Sequence, residues 1–334
     1  MNLELRNVVE SIFSKDCSPQ EVWELKKLLH NLLPNFIYKF RELNEYAIIN
    51  LCEQTLWFDS PLNMNDPYDS RHTYESVIES PEFNEDIYNM ILKYKEANID
   101  TTIKNQVRNL SPIELCIEAF PNNPAFKIME EIFRDKHKEM LKATNNNLLK
   151  NIVICSFSES YSPILMWTHY TKNHTGFCIE YNLKNLNPEN HFKNSIYPII
   201  YDQDLFDITD FLKIDSKEIK NHLYMLQSIL RKSPDWSKEK EWRVVHPFGI
   251  IPTPRSLPTP KPSSILLGSR FFKQFENISS DQTTSIAFEL ATRLIKHSEK
   301  LMIPLYLVHH SSLKFEMEKT EISYKQAFDF LNIR

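Results

Sequence analysis

The chain has 334 residues, with 39 Lys and Arg against 44 Asp and Glu, a formal net charge of −5. That mild acidity argues against a general nucleic-acid-coating role, which needs a net basic face. Only three glycines occur, Gly176, Gly249 and Gly268, so a GxGxxG dinucleotide loop, a GxxxxGK[ST] phosphate loop and a GxSxG nucleophile elbow are all excluded.

Residues 1–13 are amphipathic and contain acidic residues, unlike a signal peptide. No apolar run reaches the roughly 18 residues of a membrane span, and a cytoplasmic protein is the default expectation. Five cysteines, Cys17, Cys52, Cys116, Cys155 and Cys178, form no CxxC pair. Cys155 and Cys178 lie in apolar strand patterns and read as reduced, buried residues.

In chain order, Ser18-Pro19-Gln20-Glu21 is a helix start with a capping box. Val22, Leu25, Leu28, Leu29 and Leu32 continue it at helical spacing, so residues 1–33 form a helical extension. Residues 36–40 read as a strand ending at Arg41, Asn44 caps a helix through Glu53, and residues 55–58 give a second strand. Residues 60–70 (SPLNMNDPYDS) are an ordered loop rich in turn formers. Residues 71–150 lack strand alternation and read as a helical insertion, with helices over 85–97, 113–120 and 125–143.

Residues 151–181 organise the rest. A buried strand (152–157), a polar turn, a helix bearing Met166, Trp167, His169 and Tyr170, a bend at Gly176 and a second buried strand (177–181) look like a pocket wall. Further strands are expected at 195–201, 241–246, 263–268, 302–309 and 314–317. Helices are expected at 207–232 and 281–296 and from Tyr324. The proline-rich stretch 250–262 has no room for regular structure. The order predicts an α+β fold with a mixed, mostly antiparallel sheet: one domain over 34–320 with the insertion at 71–150, closed by a helix over 321–334.

Four motifs in order carry a resemblance: NDPYD (65–69), SFSE (156–159), MWTHYTKNHTGFCIEY (166–181) and EWRVV (241–245). Together with Tyr38-Lys39-Phe40-Arg41, they resemble the bacterial family catalogued as domain of unknown function 2971, over roughly residues 36–320. The motif layout is also similar to that of ADP-ribosyltransferases of the DNA-modifying toxin kind. By that layout Arg41, Tyr170 with His169, and Glu241 (or Glu239) stand at the ligand. The layout implies an NAD-cleaving transferase or glycohydrolase, of the toxin or phage-defence kind, with NAD as substrate and no metal.

The chemistry suits these residue types. Nicotinamide leaves an oxocarbenium-like ribose, which a carboxylate at the 2′-hydroxyl stabilises. An aromatic face holds the ring and a basic side chain pairs with the diphosphate. Glu241 is the candidate carboxylate, with Tyr170 and His169 as catalytic partners. Arg41, Trp167, Ser158, Asn65, Asp66, Asp69 and Arg243 are candidate ligand-binding residues.

Each has a plainer role. Glu241 and Arg243 alternate on one strand and can form a same-face ion pair. Arg41 can anchor the acidic loop, Asp66 and Asp69 can form turns and pair with Arg, Trp167 can be core, and Ser158 can cap the following helix. His174 lies five residues after His169, which is not a zinc-pair spacing. Two rival functions remain: a nucleotide or small-ligand sensor without turnover, and a metal-dependent nuclease using Asp66, Asp69, Glu180 and Glu241.

Overall fold

The structure, a computed structural model, describes residues 3–73, 149–208, 221, 223–246, 255–276 and 282–332, with isolated positions between 89 and 147. The expected helices at 85–97, 113–120 and 125–143 lie outside the described residues. In chain order the elements are α1 (Leu3–Ile12), α2 (Pro19–Leu32), β1 (Phe36–Arg41), α3 (Glu45–Glu53), β2 (Thr55–Trp57), β3 (His72–Thr73), β4 (Val153–Ser158), α4 (Ile164–Tyr170), β5 (Phe177–Asn182), α5 (His191–Asn194), β6 (Ile196–Pro198), β7 (Ile200–Tyr201), β8 (Phe206–Asp207), α6 (Leu226–Ile229), β9 (Arg231–Lys232), β10 (Glu241–His246), β11 (Ser256–Pro258), β12 (Ser264–Leu267), α7 (Gln282–Lys300), β13 (Leu305–His310), β14 (Met317–Ile322) and α8 (Tyr324–Asn332).

The fold is α+β. Eight strands form one sheet in the order β14-β13-β12-β5-β1-β4-β10-β6. Every neighbouring pair is antiparallel except β12 with β13. Strand alternation divides the side chains between two faces. Ile37, Phe177, Ile179, Tyr181, Ile265 and Leu267 join the main core. Tyr38, Phe40, Cys178 and Leu266 join a second cluster containing Met166 and Trp167 of α4.

Leu5, Val9 and Ile12 of α1, Leu29 of α2 and Ala327 and Leu331 of α8 share the main core with the sheet. Local signals start the helices as the sequence suggests. Ser18 and Glu21 complete the capping box of α2, and Asn44 caps α3 through the Ala47 amide.

Four local expectations are corrected. The strand at 195–201 is two short strands, because β6 pairs with β10 whereas β7 pairs with β9. The helix over 207–232 does not begin or end as helix: residues 206–207 pair with β3 and residues 231–232 with β7. Within 250–262, residues 256–258 do form a strand, since β11 pairs with the short strand β2, with Pro258 opposite Thr55. Proline is admissible there because the sheet has only two strands and both are edges. The last strand runs over Met317–Ile322, not 314–317, in register with β13.

Among the described residues no helix is long and apolar enough to cross a membrane. Cys17, Cys52, Cys155 and Cys178 are free thiols.

Candidate functional site

The sheet opens between two central strands. β1 pairs with β5 along its whole length and β4 with β10 along its whole length. Between themselves β1 and β4 share one pair, Tyr38 opposite Ser158. Asp59 occupies the edge of β4 at Ile154 instead. The gap is bridged by Lys39, whose Nζ donates to the Ser156 carbonyl at 2.8 Å.

A cavity of about 260 Å³ fills this opening, lined by Lys39, Phe40 and Arg41 of β1, residues 154–158 of β4, and Trp57, Asn65, Asp69, Tyr170, Lys232, Glu239 and Glu241. A larger groove of about 710 Å³ adjoins it and shares Phe40, Arg41, Trp57 and Tyr170.

One wall of the cavity is a buried ion-pair network, anchored by Arg243. Its side chain is fully buried, with Nη1 and Nη2 gripping Asp69 Oδ1 and Oδ2 at 2.8 and 2.6 Å. Nε donates to Glu241 Oε1 at 2.8 Å, and Nη1 also donates to the Ile229 carbonyl at 2.6 Å. Lys232 Nζ links the second carboxylate oxygens, at 2.7 Å from Glu239 Oε2 and 3.1 Å from Glu241 Oε2. Tyr170 donates its hydroxyl to Glu239 Oε1 at 2.6 Å. The Glu241 amide donates to the Tyr201 hydroxyl at 2.8 Å.

This wall brings together Asp69, three residues of the turn and strand at 239–243, and Lys232 of β9. The bend at Lys240, with φ of 46°, puts Glu239 and Glu241 around the same ammonium.

The charges follow from the geometry. Burial alone would raise the Glu241 carboxyl, but Arg243 and Lys232 outweigh it and hold its pKa down at about 2. Burial would lower Lys232 and Arg243, yet Glu241 and its neighbouring acids raise both. Burial, Glu239 and Glu241 push the Tyr170 phenol upward, so it stays a neutral donor.

The opposite wall differs. Arg41 is half-buried, and among the described residues its guanidinium makes no hydrogen bond and no ion pair. Burial lowers its pKa, and its nearby partners are too weak to restore it. Lys39 likewise meets a carbonyl rather than a carboxylate. Among the described residues, therefore, two cations on one strand face the cavity without a carboxylate bonded to them.

Of the residues singled out from sequence, Glu241, Tyr170, Arg41, Ser158, Asn65 and Asp69 line the one cavity. The others do not. His169 is exposed. Trp167 is fully buried in the second core, edge-on to Phe40, with its indole donating to the Tyr161 carbonyl. Arg243 stands behind Glu241 and Asp69. Asp66 accepts from the Tyr68 amide as a turn former.

Two expected pairings change. The acidic loop is anchored by Arg243, not Arg41. Ser158 does not cap α4, whose N-cap position is Pro163 and makes no side-chain cap. Instead the Ser158 hydroxyl donates to the carbonyls of Ser160 and Glu239.

Glu180 belongs to a separate cluster, held by Ser263, Ser264 and Lys319. Among the described residues no three His, Cys, Asp or Glu are grouped to hold a metal ion.

Sequence reasoning passed over Lys39, Lys232 and Trp57. Lys39 had a signal, since it and Arg41 share a face of an otherwise apolar strand. Lys232 had none, because it lies in the stretch expected as a helix but reaches the cavity through the short strand β9, and Trp57, on an expected strand, carried no mark that set it apart.

The family model described as Protein of unknown function (DUF2971) matches residues 166–244. The match spans Tyr170, Lys232, Glu239, Glu241 and Arg243, the ion-paired wall, and stops short of Arg41. No curated protein and no solved structure matches the chain.

Proposed function

We propose that the cavity binds a phosphorylated nucleotide, and that the chain cleaves the nicotinamide–ribose bond of NAD there, with ADP-ribose passing to water or to another acceptor. The observation that carries this reading is Arg41: a half-buried guanidinium without an acidic partner among the described residues, on the same cavity as an ionised, buried glutamate. A cation left unpaired in a partly desolvated site costs stability unless an anion completes it. With Asp69 taken by Arg243, the anion is left to the ligand. Arg41 and Lys39 suit a diphosphate.

In the proposed reaction the bond between ribose C1′ and the nicotinamide nitrogen breaks heterolytically. The electron pair leaves with the ring and neutralises the pyridinium charge. Water or an acceptor hydroxyl then adds at C1′ and loses its proton to solvent.

Glu241 is suited to stabilise the oxocarbenium ion. Its low pKa keeps it charged, and with Arg243, Lys232 and Ser156 bonded to the carboxylate one lone pair is left for the ribose 2′-hydroxyl. The same low pKa rules it out as a general acid. Tyr170, neutral and held by Glu239, lines both the cavity and the adjoining groove. Toxin or phage-defence activity would follow from such chemistry through depletion or modification of a cellular target.

A second reading, a nucleotide sensor without turnover, is favoured by one observation. Both oxygens of Glu239 and of Glu241 already serve the network that holds Asp69. Nicotinamide release from NAD by the wild type and by Glu241→Gln separates the two. Release by the wild type alone supports cleavage at Glu241. Binding of NAD without release by either supports the sensor.

A further inference from the structure

We propose that the groove adjoining the cavity is a base subsite for the same ligand, taking the purine ring of an adenine nucleotide against Trp57. The proposal rests on the nucleotide reading of the cavity but not on turnover.

Three observations point to it. The groove and the cavity meet at Arg41, Trp57 and Tyr170, so a ligand whose phosphates lie on Arg41 has one end in each. Trp57 and Tyr46 line the groove and are 48% and 79% exposed. Large rings left open to solvent beside a cation are a stacking platform for a flat heterocycle.

The third observation is Asn50, whose residue is only 7% exposed although it lines the groove. Its side-chain oxygen accepts from the Thr55 hydroxyl at 3.4 Å. Its amide nitrogen donates to no group among the described residues. A purine offers ring-nitrogen acceptors at its edge, which that free N–H can meet while the ring lies on the indole. The acids Glu42 and Glu53 on the same groove disfavour a second phosphate there, leaving the neutral base as the better occupant.

The test is calorimetric titration of the full-length chain with two probes, ADP-ribose and nicotinamide mononucleotide. Both carry phosphate for Arg41, but only ADP-ribose carries the purine. Trp57→Ala is expected to weaken ADP-ribose about tenfold, the range of one base–aromatic stack, and nicotinamide mononucleotide by a clearly smaller factor, since Trp57 also borders the cavity. Asn50→Asp keeps the acceptor for Thr55, removes the donor, and is expected to weaken ADP-ribose alone.

Equal loss for both probes, or no loss for either, overturns the subsite, as does failure of the wild type to bind ADP-ribose at all. Turnover is read separately. A chain that releases no nicotinamide yet binds ADP-ribose through Trp57 retains the subsite and loses the cleavage reaction.

Discussion

Arg243 holds Asp69 by both terminal nitrogens, at 2.8 and 2.6 Å, and reaches Glu241 with its third. A strand residue thus fastens the loop of residues 60–70 to the sheet and orients the candidate catalytic carboxylate in one motion. Breaking one side of a buried ion pair strands the other. Arg243→Met is therefore expected to destabilise the fold by about 3–5 kcal/mol, measured by urea unfolding. Asp69→Asn, which retains one acceptor oxygen for Arg243, should cost less.

Arg41 should behave in the opposite way. It contributes no ion pair among the described residues, and its burial is a cost rather than a gain. Arg41→Met is expected to leave thermal stability unchanged or raised while abolishing detectable NAD binding. Scanning calorimetry and titration on the same preparation check this. A loss of several kcal/mol in stability would mean that Arg41 is structural.

Only three glycines occur in the chain, and two of them meet near the site. A Cβ on Gly176 would fall 2.2 Å from the Arg41 carbonyl oxygen, and one on Gly268 would fall 2.2 Å from that of His174. The approach is steric and leaves no room for a methyl group. Gly176→Ala is expected to cost more than 1 kcal/mol, in the range of about 1–3 kcal/mol for overpacking. It should also weaken NAD binding through displacement of Arg41.

The pH dependence has a definite sign. The Glu241 pKa is about 2 in the fold, below the roughly 4.3 of an unfolded glutamate. Its contribution is complete above the unfolded value and is lost as pH falls toward 2. His72 adds a second window. Burial, with Arg71 nearby, lowers its pKa to about 4, against about 6.5 unfolded. The folded state therefore keeps His72 neutral, and stability falls as pH drops from about 6.5 toward 4. Unfolding free energy measured against pH should decline in two stages. His72→Phe should shrink the upper stage, to which the burial of His30, His174, His246 and His297 also contributes, and Glu241→Gln should shrink the lower.

Much of the fold was legible locally. The alternation of residues 36–41 and 241–246, the capping box at Ser18 and the Asn44 cap all appear as read, because each is decided within a few residues. The site was legible in part. Arg41, Tyr170 and Glu241 line one cavity, but the ion pairs differ from those expected, since Asp69 pairs with Arg243 and not with Arg41.

That choice depends on β10 lying two strands from β1, which no local pattern records. Trp57 was hidden for a related reason. Its strand pairs with residues 256–258, in a stretch whose prolines argued against any strand. His169 and Trp167 were singled out by their place in one motif, yet helix phase turns one to solvent and the other into the core.

The most direct measurement is titration of Glu241→Gln with NAD, beside the double variant that adds Arg41→Gln. In the proposed reaction the first variant blocks turnover, and it leaves Arg41 in place. Saturable binding by Glu241→Gln, lost at least tenfold in the double variant, is the result expected of a nucleotide site organised by Arg41. Absence of binding by Glu241→Gln and by the wild type, with both chains folded, would contradict it.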